Sequence, residues 1–197
     1  MGLESLRVPI GKVNMFSTAI CLLILGHPSK GPVLGMDGLS HDPLKENRGK
    51  PTALIFITHD CPICNAYAPQ FMRLKNRFEG KIRIQLVYSE PEITVAQANA
   101  HAKEFAMTKM GSWLDRSRTF AASCGATVVP EAIIFSAEGE KVWTGRIDNQ
   151  YASLGVHRQQ ATVHDLQDAL DDLSKGKSPS PPHGQPVGCL ILSPVTP

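Results

Sequence analysis

The sequence predicts an α/β domain with a central mixed sheet flanked by helices, and three observations carry that expectation. The run Ala53-Leu54-Ile55-Phe56-Ile57 is continuously apolar, with β-branched and aromatic members, as in a strand buried on both faces. Tyr67, Phe71, Leu74 and Phe78 then recur at helical spacing and are followed by Gly80, which predicts an amphipathic helix packed on that strand. Farther on, Ala132-Ile133-Ile134-Phe135 and Lys141-Val142-Trp143-Thr144 flank Ala137-Glu138-Gly139-Glu140, an antiparallel hairpin. Strand, helix and hairpin in that order give a mixed sheet.

The remaining elements follow in chain order. Ile82, Ile84, Leu86 and Tyr88 alternate with Arg83, Gln85 and Val87, a second strand that ends at the turn residues Ser89, Glu90 and Pro91. Five alanines support a helix from Ile93 to about Met107. Residues 114 to 124 read as another helical segment, entered through Asp115 and closed by Gly125, and Thr162 is placed to cap a final helix from Val163 to Leu173. The folded domain is expected over residues 51–175. A Gly-, Pro- and charge-rich linker over 27–50 precedes it, and a Pro-rich extended tail over 176–197 follows.

Composition narrows the function. The 197 residues are 42% hydrophobic and 19% charged with a formal net charge of +2, so neither disorder nor a polyanion-binding surface is indicated. Lysines and arginines are scattered, which gives no nucleic-acid footprint. The sequence also lacks a glycine-rich phosphate loop, a His-Glu-x-x-His helix and a calcium loop. Residues 1–26 read as a signal peptide: Arg7 and Lys12 precede the apolar run from Met15 to Leu25, which Gly26, His27 and Pro28 end. The run is shorter than the roughly 20 residues a spanning helix needs, so no stable membrane span is expected. Export to a periplasmic or extracellular compartment places the chain where disulfides form and persist.

Five cysteines occur, at positions 21, 61, 64, 124 and 189. Cys61-Pro62-Ile63-Cys64 lies between a buried strand and the start of a helix. There the N–H groups and macrodipole of the helix stabilise a thiolate on the first cysteine. Cys61 is accordingly the expected nucleophile, and Cys64, a turn deeper, resolves a mixed disulfide by attacking the sulfur of Cys61. Pro62 suits the first helical turn, where a missing N–H costs nothing. Zinc would need a second pair of ligands, and Cys124 and Cys189 make no second Cys-x-x-Cys, so no metal site is expected. His59, two positions ahead of Cys61, favours the thiolate if charged and otherwise faces solvent. Arg146 and Asp148 read as a pair or cap at the hairpin's end, and Cys124 as a buried small hydrophobe. Cys189 is left with three options: a bond to Cys124, a free thiol, or a bond to another chain.

The Cys61-Pro62-Ile63-Cys64 motif after a strand, with Pro69 five residues beyond, resembles the thioredoxin-like superfamily, whose active-site helix carries a kinking proline there. Val128-Val129-Pro130-Glu131 is similar to that superfamily's cis-proline loop. Gly125-Ala126, Gly145-Arg146-Ile147-Asp148-Asn149 and Pro186-Val187-Gly188-Cys189 resemble the redoxin branch, the thiol-specific antioxidant and TlpA-like proteins, and within it exported bacterial redoxin-domain proteins. The resemblance covers roughly residues 51–173. It implies a thioredoxin-like fold and thiol–disulfide exchange with protein partners through Cys61 and Cys64. Val129 and Pro130 would align the partner's extended chain, no organic cofactor would be needed, and a redox partner protein would supply or accept electrons. Two alternatives accompany it: a copper-binding chaperone that holds Cu(I) on the soft dithiolate, and a peroxidase using Cys61. Departures from the pattern are Ile55 where thioredoxins bury an Asp, Asp60 and Pro62-Ile63 around the cysteines, and Leu54 where peroxiredoxins have Pro ahead of Thr58 and Cys61.

Overall fold

The computed structural model describes residues 31–194, so the signal-like segment 1–26 lies outside the described residues. The apolar run becomes strand β3 (Thr52–Ile57), every residue of which is buried. Ahead of it lie β1 (Val33–Gly35), β2 (Ser40–His41) and the one-turn helix α1 (Pro43–Glu46). After it come α2 (Pro62–Arg77), β4 (Arg83–Tyr88), α3 (Val95–Glu104), β5 (Gly111–Leu114) and α4 (Thr119–Cys124). The chain continues through β6 (Val128–Val129), β7 (Glu131–Phe135), β8 (Lys141–Gly145), β9 (Tyr151–Ser153) and β10 (Val156–His157). It ends with α5 (Asp165–Ser174) and β11 (Cys189–Leu190).

One seven-stranded sheet runs β2-β1-β5-β4-β3-β7-β8. It is mixed, as the strand patterns predict, because β3 pairs parallel with β4 and antiparallel with β7. The hairpin β7–β8 forms where expected. Tyr67, Phe71 and Leu74 of α2 are buried, and each such side chain contributes roughly 1.5–3 kcal/mol by leaving water. Pro69 lies inside α2.

Several expectations change in detail. Residues 31–50 do not form a free linker: β1 pairs with β5, Val33 is only 3% exposed, and Asp42 caps α1 by accepting from the N–H groups of Leu44 and Lys45. Residues 111–114 form β5, parallel to β4, rather than leading into a helix, and the helix after them is the shorter α4, closed by Gly125 in the left-handed conformation. Asp115 accepts from the N–H groups of Phe120 and Ala121, so it supplies the α4 entrance. α3 opens two residues after Ile93, on a capping box between Thr94 and Gln97. Thr162 does not cap α5, whose N-cap is His164. The N–H groups of Thr162 and Val163 donate to Asn149 Oδ1, 2.8 and 3.1 Å away, and the Thr162 hydroxyl accepts from Asn149 Nδ2. The tail is extended but docked, since β11 pairs with β6.

Candidate active site

β3 carries the chain to Thr58, His59 and Asp60, and Cys61 follows as the N-cap of α2 with Pro62 in its first turn. The N–H groups of Ile63 and Cys64 at the helix start favour a charged Cys61 sulfur, as the strand-to-helix placement predicts. Cys64, one turn on, is 1% exposed. Facing them is the loop that carries β6, where the Val129–Pro130 peptide is cis and Val129 is fully buried. The Cys61 Sγ lies 3.7 Å from the Val129 carbonyl oxygen. Glu131 fixes this loop by accepting from the Thr127 and Val128 N–H groups and from the Thr127 hydroxyl. Cys61, Cys64, Val129 and Pro130, scattered over 70 positions of sequence, thus meet at one end of the sheet.

The two thiols of the motif are driven apart in acidity. A hydrogen bond from the Cys64 thiol is the largest influence on Cys61. Against the opposing effect of burial, and with further donation from the Cys64 N–H, the Cys189 thiol and the Ile63 N–H, it lowers the Cys61 pKa to about 5. Cys64 moves the other way: burial raises its pKa well above the ordinary thiol value, and donating to Cys61 and facing its charge add to that. One sulfur is a thiolate at neutral pH and the other holds the proton beside it.

The third sulfur is unexpected. Cys189 sits on β11 directly opposite Val129, and its Sγ is 3.3 Å from that of Cys61. Its pKa rises to about 11, first through burial, then through hydrogen bonding to Cys61 and the charges of Cys61 and Asp60. Among the sequence's three options the structure has Cys189 as a free thiol, not bonded to Cys124, which is buried in α4; its position against Cys61 was not among them. Cys61 itself is 2% exposed beneath the tail, and Cys189 is the exposed thiol.

Polar neighbours complete the surroundings. His59 does not stand alone: its Nδ1 is 2.6 Å from Glu90 Oε2 and its N–H donates to Glu90 Oε1. Asn65 donates to the His59 carbonyl and bonds His101, whose other ring nitrogen meets the Tyr88 hydroxyl at 2.9 Å. Arg146 pairs with Asp165, not Asp148, and Asp148 instead accepts from the Tyr67 hydroxyl. A groove of about 460 Å³ opens beside Cys61, lined by Thr58, Asp60, Glu90, Arg118, Cys189 and Leu190 among others. Arg118 gave no sequence signal, yet its buried Nε has no hydrogen-bond partner there. His59, Asp60 and Glu90 bring ligand atoms within 4.8 Å of one another, a nitrogen and oxygen set that does not suit Cu(I).

No protein-family model matches the sequence, and no curated protein matches it. Solved structures do match in shape. A hypothetical protein from Sinorhizobium meliloti is 19% identical with a TM-score of 0.69, covering 84% of this chain and 91% of that one. An uncharacterised conserved protein from Geobacillus kaustophilus is likewise 19% identical, with a TM-score of 0.68 over 84% of this chain and 90% of that one. A secreted disulfide oxidoreductase from Mycobacterium tuberculosis, homologous to E. coli DsbE, is 17% identical with a TM-score of 0.51 over 75% of this chain and 96% of that one. The chain has a thioredoxin-like fold, with its mixed seven-stranded sheet flanked by helices. Among the described residues no helix is long and apolar enough to cross a membrane.

Proposed function

We propose that the protein is a thiol–disulfide oxidoreductase that exchanges disulfides with protein partners outside the cytoplasm. The observation that carries this reading is the geometry of the pair: Cys61 stands at the start of α2, 3.7 Å from the Val129 carbonyl oxygen ahead of the cis Val129–Pro130 peptide, with Cys64 buried a turn deeper, and the opposite directions of their acidity agree with it. Cys61 attacks a partner disulfide, and Cys64 then attacks Cys61 and releases the partner. Val129 and Pro130 align the partner's extended chain through the backbone groups of β6. A redox partner protein returns the pair to its starting state, and no organic cofactor takes part. Residues 1–26 serve as the export signal, and the exchange domain comprises 51–175 together with the β1 and β2 strands that join its sheet. The secreted disulfide oxidoreductase among the structural neighbours agrees with that location.

The test is reduction of insulin disulfides by dithiothreitol. The full chain accelerates it, and Cys61→Ser returns the rate to the uncatalysed value. Below neutrality, the rate at which the Cys61 thiolate is alkylated in unfolding-free buffer holds down to about pH 5 and then drops about tenfold per unit, because only the thiolate reacts. Catalysis that survives Cys61→Ser, or alkylation that follows an ordinary thiol profile, overturns the assignment.

A further inference from the structure

A partner chain aligned on β6 would need the backbone groups that the tail already occupies. Cys189 and Leu190 lie antiparallel to Val129 and Val128, and the Ile191 N–H donates to the Thr127 carbonyl. This approach is possible because residue 188 is glycine: a Cβ there would stand 1.9 Å from the Val129 carbonyl oxygen. Upstream, the tail is tied to the domain by the Trp143 Nε1–H donating to the Ser180 carbonyl and by the His183 N–H donating to Asp165. The arrangement ends with two sulfurs 3.3 Å apart, from which about 1.3 Å of closure makes a disulfide.

We infer that residues 188–190 are a built-in stand-in for the partner chain, and that Cys189 is a third exchange cysteine that forms a disulfide with Cys61 in competition with the partner. The inference rests on the exchange reading above. Cys61 thiolate attacks the partner disulfide, forming a Cys61–partner bond and releasing one partner sulfur, which takes the Cys189 proton. Cys189 thiolate attacks Cys61 Sγ, breaks that bond and releases the second partner sulfur as a thiolate, protonated by solvent. Cys64 then attacks Cys61 Sγ and expels Cys189, to which its own proton passes. The partner disulfide has gained two electrons, and Cys61–Cys64 has become the disulfide. The proton order fits: while Cys61 is ionised, Cys189 holds its proton against it, and loses that acceptor once Cys61 is bonded. The tail thereby releases partners early and shields the acidic thiolate between turnovers.

The experiment compares Cys64→Ala with Cys64→Ala/Cys189→Ala, each as the full chain, after oxidised glutathione and an acid quench, with peptide masses read. In Cys64→Ala the product is the Cys61–Cys189 disulfide, with glutathione on Cys61 reduced to about a tenth of that in the double variant. Equal glutathione on Cys61 in both overturns the third-cysteine inference and leaves the exchange reading standing. No glutathione on Cys61 in either, with no internal disulfide, overturns the exchange reading and the inference with it. Gly188→Ala provides a check that leaves every cysteine in place. Lifting the tail makes Cys61 in the reduced protein react with iodoacetamide about tenfold faster at unchanged thermal stability. An unchanged rate removes the claim that the tail shields it.

Discussion

Residues 33–46 and residues 188–190 both add short antiparallel strands to the domain from outside its predicted limits, yet the two ends are held in different ways. β1 joins the main sheet against β5, with Val33 buried. Arg83 donates to the Glu46 carbonyl and to Asn47 Oδ1, and Asn47 donates to Gln85, so this end is stitched to β4. β11 instead pairs with a two-residue strand outside the main sheet, and its Leu190 side chain is 76% exposed. One end adds to the core, whereas the other rests on a surface by backbone bonds and a few polar ties. The difference teaches that equal pairing geometry does not mean equal stability: a strand that buries little apolar surface opens locally without unfolding the rest. A segment that must give way to a partner belongs to the second kind.

The largest effect that sharpens this contrast comes from Val33→Asp. A carboxylate put in the place of a buried valine costs about 3 kcal/mol, read as a lower urea midpoint. The Cys61–Cys189 disulfide formed by Cys64→Ala should be unaffected in the same background. A loss of that disulfide in step with the midpoint would show that the two ends form one cooperative unit, and the contrast would fail.

A middle effect comes from Asp165, 3% exposed, which joins the domain to the tail. Burial alone would raise its pKa, but the His183 N–H, the Arg146 guanidinium and the His183 ring outweigh it and lower it. A depressed carboxyl stabilises the fold above its unfolded pKa of about 3.9, and that contribution is lost as pH falls through the lower folded value. The tie is therefore constant from pH 5 upward and weakens in acid below about 4. Asp165→Asn replaces charge-assisted bonds with neutral ones, so amide exchange at His183 at pH 7 speeds up about tenfold. Exchange there at the unchanged rate would show that this tie does not hold the tail.

Legibility in the sequence follows the range of the interactions. β3, α2 and the β7–β8 hairpin were readable because each is specified by its own periodicity or turn residues. The dithiol was readable because a strand-to-helix junction is local. The placement of Val129 against Cys61 was accessible only through resemblance, since 68 residues separate the two. β5 was missed because Gly111-Ser112-Trp113-Leu114 is too short to show alternation, and its place between β1 and β4 is a tertiary choice. The N-terminal strands carry no apolar period for the same reason. Cys189 lies 128 residues from Cys61, and no spacing reports such a contact. Gly188 was the one local sign, a glycine just before a cysteine, and its meaning depends on a carbonyl that only the fold brings near.

The smallest expected effect tests whether the tail opens on its own. Trp143 is largely buried on β8, and its Nε1–H donates to the Ser180 carbonyl at 2.9 Å. Phenylalanine keeps an aromatic ring on the strand and removes that donor. One neutral hydrogen bond is worth about 1 kcal/mol, so Trp143→Phe should raise the opening of residues 180–190 about fivefold, read as faster amide exchange there and faster alkylation of Cys61. The amides of β3 report global unfolding, because that strand is buried along its whole length. They should slow the comparison to a difference: tail amides accelerated, β3 amides changed far less. If both accelerate by the same factor, Trp143 acts through packing of β8 alone, and the tail has no independent opening for a partner chain to exploit.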